Sequence, residues 1–505
     1  MSISNILSAQ PGAMFARVVK VETDVSTGLF NFVIVGLANK EIEEARDRVS
    51  AALKNSGVAS PKSENRKIVT SLSPAHIHKS GTHFDLPIAL GYLSATKQIN
   101  LDKWKDSIFL GELSLSGELM PVSGALSVAM LCQSESIKNI FVPMKNALEC
   151  ALVPGINIYP VKTLEELIAF LKDEVNIETQ EYLDTTDLAL SPSQNSTENS
   201  FSEVRGQELD KRALLIAAAG GHNIALYGPP GTGKTMLAKA FREILPPLSR
   251  KSMLEVTAIH SFTNTSSGLV TKPPFRSPHH SSSSVSIIGG GNNLRPGEIT
   301  LAHRGVLFLD EFPEFDKSVL ESLRQPLEDG EVVVARAKGS VKYPARFTLV
   351  AALNPCPCGF RGSQIRQCIC KESDILRYER KVSGPIMDRI DLWVEVPHVA
   401  YEEFLNKEST PNNFEQQVLR VRSVQNSRYG NDKLNAHIGN KEINILDLLP
   451  EAEGVLIDYA KKFSLSPRSF NRLKKVARTI ADLSGSQQIE IPHILEAFQY
   501  RPKVG

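Results

Sequence analysis

The amino-acid sequence predicts an α/β protein whose central block is a parallel sheet. A second α/β block precedes it and a helical block follows. Three observations predict this. Gly228-Pro-Pro-Gly-Thr-Gly-Lys-Thr235 fits G-x-x-x-x-G-K-[ST] between a short apolar strand, Asn223 to Tyr227, and a run at helical spacing, Met236 to Leu245. Gly305-Val-Leu-Phe-Leu-Asp-Glu311 is a continuous apolar run ending in two carboxylates, as a strand buried on both faces requires. Residues 1–172 alternate apolar strands with helical stretches, whereas Val399 to Gly505 is mostly helical in pattern.

Length and composition set the frame. At 505 residues the chain exceeds one hydrophobic core. Its 42% hydrophobic and 22% charged residues describe an ordinary soluble protein, and no apolar run reaches the roughly 18 residues of a membrane span. A net charge of +1 gives no global argument for nucleic acid, so any such argument must be local. No signal peptide is apparent, and six cysteines without one point to a reducing compartment. The expected setting is the cytoplasm.

In the first block, Phe30 to Gly36 and Arg66 to Thr70 read as strands. Glu41 to Leu53 reads as a helix with Ile42, Ala45, Val49, Ala52 and Leu53 on one face. Thr163 and Glu166 form a capping box opening Leu164 to Lys172. Residues 173–202 turn to Glu, Asp, Thr, Ser, Asn and Gln and read as a flexible linker. The core then spans 203–397, and a helical lid spans 398–505.

The glycine loop implies ATP. Gly228, Pro229, Pro230, Gly231, Thr232 and Gly233 let backbone N–H groups approach the phosphates at a helix start. Lys234 is expected on the β/γ-phosphates and Thr235 on Mg²⁺. Asp310 would share the Mg²⁺, and Glu311 would position and activate the attacking water. A helix N-cap is the plainer reading of such an acid pair. A third strand, Phe347 to Leu353, ends in Asn354, a candidate to orient the water, with a turn-forming Asn before Pro355 as the alternative. Arg389, in a polar turn at a strand start, is a candidate arginine finger supplied across a subunit boundary; an ion pair with Asp388 or Asp391 is the other possibility. Ser466-Pro467 starts a helix, and seven Lys/Arg with no acid fall between Lys461 and Ile480. Arg468 in its first turn is a candidate second sensor of the γ-phosphate, with Arg472 next.

These parts in this order resemble the AAA+ ATPases of the magnesium-chelatase and MCM branch. The resemblance is closer still to the YifB/ComM family. It rests on Val204 to Gln207, Ala217 to His222, Phe275 to His280, Gly289 to Gly291, Arg295 to Ile299, Ala302-His303, Leu323 to Glu328 and Asn354 to Gly359. It implies a homohexameric ATPase, acting as a DNA helicase that promotes branch migration in homologous recombination during natural transformation. The implied partners are single-stranded or branched DNA and recombination proteins. The first block resembles the Lon-type protease domain, of the ribosomal-protein domain-2-like fold. Ser80 to Leu86 matches the segment bearing Lon's nucleophile, with Asp85 near its position, and Gly117 to Leu126 contains no lysine. No Ser–Lys dyad can form there, which argues against proteolysis.

Two segments are candidates for touching DNA. Lys272 to Gly291 is polar, Gly-rich and too long for a simple connection. Glu331 to Tyr343 reads as a hairpin with its tip at Lys338 to Ser340. Its place before the Asn354 strand matches the pre-sensor-1 hairpin of this branch. In a ring, Arg336, Lys338 and Lys342 would face a central channel and contact phosphates, the alternative being a solvated basic hairpin. Cys356-Pro-Cys358 and Cys368-Ile-Cys370, nine residues apart, could hold a structural Zn²⁺, although C-x-C has a tighter bite than the usual spacing; four reduced, unliganded thiols are the alternative. Competing with the helicase are a chelatase-type motor that remodels a protein partner and an ATP-dependent protease, the latter weakened by the missing dyad.

Overall fold

The computed structural model describes residues 2–36, 40–62, 65–75, 79–184, 201, 204, 206–263, 269–291, 295–336, 339–363, 366–398, 413–430, 432–439 and 441–501. The chain forms two compact units: residues 1–191 with 250–270, and residues 192–249 with 271–505.

In the first unit, strands β1 (Ser2–Gln10), β2 (Arg17–Thr27) and β3 (Asn31–Val35) precede helix α1 (Ala45–Asn55) and strand β4 (Arg66–Ser73). Helix α2 (Asp85–Ala95), strand β5 (Ser107–Phe109), helix α3 (Ala125–Ser134), strands β6 (Asn139–Pro143) and β7 (Asn157–Val161) and helix α4 (Leu164–Leu171) follow. The seven strands form one sheet in the order β3-β4-β2-β1-β5-β6-β7. β2 runs antiparallel to β1 and β4, whereas β1, β5, β6 and β7 pair in parallel. α2 is apolar all round and buried along nearly its whole length, as a central helix must be.

The predicted strands at 30–36 and 66–70 are β3 and β4. The predicted helix at 41–53 is interrupted, with one turn at Lys40–Glu43 and then α1, whose Val49, Ala52 and Leu53 are buried as their spacing requires. At α4 the Thr163 hydroxyl accepts the Glu166 N–H at 3.1 Å, but the Glu166 carboxylate accepts the Lys162 N–H at 2.8 Å, one residue earlier than a full capping box. Two features depart from the predicted boundaries. Residues 173–184, read as linker, are joined to the sheet: Gln180 N–H donates to the Ile158 carbonyl (2.8 Å), Leu183 N–H to that of Ala151 (2.9 Å), and Ile177 is buried. The rest of the linker, 185–200, lies outside the described residues. Helix α7 (Arg250–Thr263), counted with the core from sequence, belongs to the first unit. Its Ala258 joins the cluster of Val128, Ala129 and Cys150, and Ser261 donates to Glu149 at 2.7 Å.

The second unit holds helices α5 (Glu208–Gly220) and α6 (Lys234–Glu243) and the strands β8 (Ile224–Tyr227), β9 (Phe275–Arg276), β10 (Val306–Leu309), β13 (Thr348–Leu353) and β14 (Leu392–Glu395). These five form a fully parallel sheet in the order β9-β10-β13-β8-β14. β10 and β13 are buried at every position, so their apolar runs have no polar face. The predicted hairpin is present as β11 (Glu331–Arg336) and β12 (Gly339–Pro344), paired antiparallel. Three later helices, α8 (Phe414–Tyr429), α9 (Pro467–Ser484) and α10 (Ile491–Gln499), share the core of this unit. α8 closes the end of α5: Arg422 donates twice to the Ala218 carbonyl and Gln425 to that of Ala219, satisfying carbonyls a helix terminus leaves open.

Candidate nucleotide site

Parallel strands deliver their carboxyl ends to one edge of the sheet, and ligands of open α/β sheets bind there. Three neighbouring strands do this here. β8 runs into Gly228, β10 into Asp310 and Glu311, and β13 into Asn354. Gly228 admits no side chain, because a Cβ there would stand 2.2 Å from the Val396 carbonyl oxygen. Gly231 and Gly233 turn the loop with φ of +81° and +88°, which glycine adopts without strain. The loop is braced from behind by Gln207, whose amide donates to the Thr232 carbonyl at 3.1 Å.

Lys234 opens α6 and folds its ammonium back over the loop. It donates to the carbonyls of Gly228 and Pro229, each at 2.7 Å, and to Asn354 Oδ1 at 3.1 Å. Burial lowers its pKa from the ordinary lysine range, and Asp310 opposes that shift. The Thr235 hydroxyl donates to Asp310 Oδ2 at 2.9 Å, and the Glu311 N–H donates to Asp310 Oδ1 at 2.9 Å. Glu311 sits in the left-handed region at φ +49°, and His280 Nδ1 lies 3.2 Å from its Oε2. The sequence-predicted Lys234, Thr235, Asp310, Glu311 and Asn354 are therefore one constellation. Thr235 and Asp310 present two hard oxygen ligands side by side at an exposed edge, a donor set that fits Mg²⁺.

The two candidate arginines meet each other through a residue the sequence did not single out. Arg389, 8% exposed, pairs with the Glu328 carboxylate and donates to the Pro385 carbonyl at 2.6 Å. Its buried Nε has no hydrogen-bond partner among the described residues. Arg468, in the first turn of α9, pairs with the other Glu328 oxygen at 2.8 Å. The arginines hold the Glu328 carboxyl below its usual range, Arg468 contributing most. Arg472 instead faces Asp391 at 3.5 Å. The local partners expected for Arg389, Asp388 and Asp391, are not its ion pairs among the described residues: Asp391 serves Arg472, His222 and the Asn223 N–H.

Glu328 and His280 each close a motif that carries the family resemblance, Leu323 to Glu328 and Phe275 to His280, but neither was assigned a role at the nucleotide site. His280 lies in the 272–291 insertion read as a DNA candidate, and its ring meets Glu311. In the hairpin, Lys342 is exposed and pairs with Glu331 across the strands, the partner a solvated hairpin would give it. Arg336 lies at the end of β11, and Lys338 falls outside the described residues. The four cysteines Cys356, Cys358, Cys368 and Cys370 converge, with all four sulfurs within 4.8 Å of one another. Among the described residues no helix is long and apolar enough to cross a membrane.

Comparison with known proteins agrees with this geometry along the whole chain. The family described as magnesium chelatase, subunit ChlI, matches residues 200–404; subunit ChlI of Mg-chelatase matches 21–146; and the ChlI C-terminal family matches 408–501. The chain is 39% identical to the competence protein ComM of Haemophilus influenzae, covering 100% of this chain and 98% of the relative. It is 40% identical to the Escherichia coli protein YifB, over 99% of this chain and 97% of the relative. It also shares 29% identity with the magnesium-chelatase 38 kDa subunit of Rhodobacter capsulatus, over 31% of this chain and 50% of that protein. With a five-stranded parallel sheet that carries a glycine loop and an acid pair at the ends of the strands on either side of β13, the chain belongs to the ComM/YifB family of magnesium-chelatase-type AAA+ ATPases.

Proposed function

We propose that this ATPase is a hexameric DNA translocase or helicase that promotes branch migration of single-stranded or branched DNA in homologous recombination. The observation that carries this reading is the β11–β12 hairpin, inserted directly before the strand that ends in Asn354. A DNA contact at the hairpin would thereby be tied along the chain to Asn354, whose side chain accepts from Lys234 of the glycine loop at 3.1 Å. Full-length likeness to a protein named for competence supports it. The partners in this reading are DNA, recombination proteins and further copies of the chain, in the cytoplasm, where clustered thiols stay reduced.

In this mechanism ATP lies along the glycine loop. Lys234 exchanges the Gly228 and Pro229 carbonyls for β/γ-phosphate oxygens. Thr235 and Asp310 would hold Mg²⁺, which neutralises developing phosphate charge when bound. Glu311 accepts a proton from the attacking water on its carboxylate, and Asn354 orients that water. Arg389 and Arg468, gathered at one carboxylate, would be presented together to the nucleotide of a neighbouring subunit once Glu328 releases them. The first unit is read as a Lon-protease-like domain without its Ser–Lys dyad, serving as scaffold, and 398–505 as the lid.

The protein should hydrolyse ATP faster with forked or Holliday-junction DNA and displace a strand from the fork. Turnover indifferent to every DNA, with metallation of a porphyrin alongside chelatase partner subunits, would show a chelatase-type motor instead. That second reading is favoured by the three chelatase family matches along the chain.

A further inference from the structure

We propose that Cys356, Cys358, Cys368 and Cys370 hold one tetrahedral Zn²⁺, and that this centre clamps the glycine loop to the end of strand β13, so that metal loading sets the competence of the site for hydrolysis. The first half stands on the sulfur geometry alone; the second also rests on the reading of 228–235 and Asn354 as the nucleotide site.

The sulfur geometry is that of a metal centre. Zn–S bonds of about 2.3 Å at tetrahedral angles put the sulfurs about 3.8 Å apart. Here Cys356 lies 3.4 Å from Cys358 and 3.7 Å from Cys368, and Cys358 lies 3.6 Å from Cys368. All four cysteines are free thiols, and these separations are far beyond the roughly 2.05 Å of a disulfide. The Cys358 N–H donates to Cys370 Sγ at 3.4 Å, the kind of outer hydrogen bond that orients a thiolate ligand. A four-sulfur set without water or carboxylate suits a closed structural zinc.

Its position is what gives the centre a consequence. Cys356 is fully buried and stands two residues after Asn354, whose side chain receives the Lys234 ammonium. Gly359, one residue beyond Cys358, packs directly on the glycine loop. A Cβ there would come within 2.7 Å of Pro230 Cδ, and its φ of +83° closes the turn of the first C-x-C. After Cys370, the helix Glu372–Glu379 returns to the same place: burial raises the Tyr378 hydroxyl pKa, and the Asn354 backbone opposes that shift. Residues 354–378 thus form a loop that leaves from Asn354, touches the glycine loop at Pro230 and comes back to Asn354. The four sulfurs converge at the centre of its two C-x-C arms, beside the Arg366 guanidinium, which lies 5.1 Å from the centre of the Phe360 ring, and the Arg361–Glu379 ion pair at 2.7 Å. Without the metal, the arms lose the tie through the sulfurs and Gly359 loses its fixed approach to Pro230.

The test uses full-length protein purified without added metal or chelator, and ATP hydrolysis measured without DNA, so that failure of the DNA reading leaves it untouched. Elemental analysis should find one zinc per chain. In a Cys368→Ser/Cys370→Ser variant, which leaves the residues beside the glycine loop in place, zinc should be lost. Hydrogen exchange should quicken at residues 228–234 and 353–360 but not in helix α2, which reports an intact first unit. A displacement of about 1 Å at Asn354 should lower kcat on the order of 100-fold. Wild-type protein free of metal, with four thiols titrating at once, would overturn the site, as would iron in place of zinc. A zinc-free variant with wild-type kcat and unchanged exchange in the glycine loop would overturn the coupling.

Discussion

Replacing Arg48 by methionine removes the counter-ion of a carboxylate that has no exposure at all. Asp85 opens α2 inside the first unit, where the resemblance to Lon places a nucleophile. Arg48 grips it through two hydrogen bonds of 2.7 and 3.0 Å, and the Leu113 N–H supplies a third at 3.2 Å. Burial pushes the Asp85 carboxyl up to about 6 against the pull of Arg48. Breaking a buried pair by deleting one partner costs about 3–5 kcal/mol, because the remaining charge is uncompensated. At the lower figure, the opening equilibrium of α2 rises roughly 150-fold. Hydrogen exchange of peptides covering 85–95, measured on the whole protein, reads that ratio. The ratio should depend on pH with a definite sign. The folded carboxyl binds its proton more tightly than the unfolded one, so native stability from this group falls as pH rises from about 4 to 6. Well below a pH of about 6 the folded carboxyl is neutral in both proteins and Arg48 has no charge to compensate. The Arg48→Met defect should therefore be large at pH 7 and small at pH 4.5. An equal defect at both, or none at pH 7, would refute the argument that Arg48 is there to neutralise Asp85.

Glu311→Gln should keep ATP binding while slowing hydrolysis by about 10²–10⁴-fold, and should trap an assembled ring on gel filtration with ATP; loss of nucleotide binding would show a structural role. Arg389→Ala subunits mixed with Lys234→Ala subunits should recover part of the activity at interfaces that carry both intact groups. Strictly additive loss would leave Arg389 as a local partner of Glu328. Changing Lys338 and Lys342 to alanine should weaken DNA-stimulated turnover and spare the basal rate. The log–log salt slope for single strands should flatten by about 0.7 per lost contact; an unchanged slope would move attention to 272–291.

What the sequence disclosed and what it hid divide along a physical line. The glycine loop, the Asp310–Glu311 strand, the 331–343 hairpin and the Ser466 helix start are local: fixed spacing, periodicity and a cap specify them within a dozen residues. The Ser466 hydroxyl does accept the Ser469 N–H at 3.2 Å, as such a start demands. Partnerships across the fold leave no such trace. Glu328 lies 61 residues from Arg389, and only the packed sheet brings them together. The apolar face of α7 announces burial but not the unit that buries it. Residues 173–184 looked too polar to order, yet backbone hydrogen bonds to β7 and the residues before it ask nothing of side-chain composition.

The single carboxylate between Arg389 and Arg468 makes the two cations a matched set. Two positive charges share one negative, so the trio carries an unsatisfied charge at rest. An incoming phosphate brings more negative charge than Glu328 and can draw both guanidiniums away from it. Once either leaves, Glu328 binds the other alone, and a half-engaged state splits one strong cluster into two weaker ones. In the proposed role of the two arginines, capture and release would then be concerted. Because Arg468 lies in the first turn of α9, the event in this reading would start at the end of an 18-residue helix.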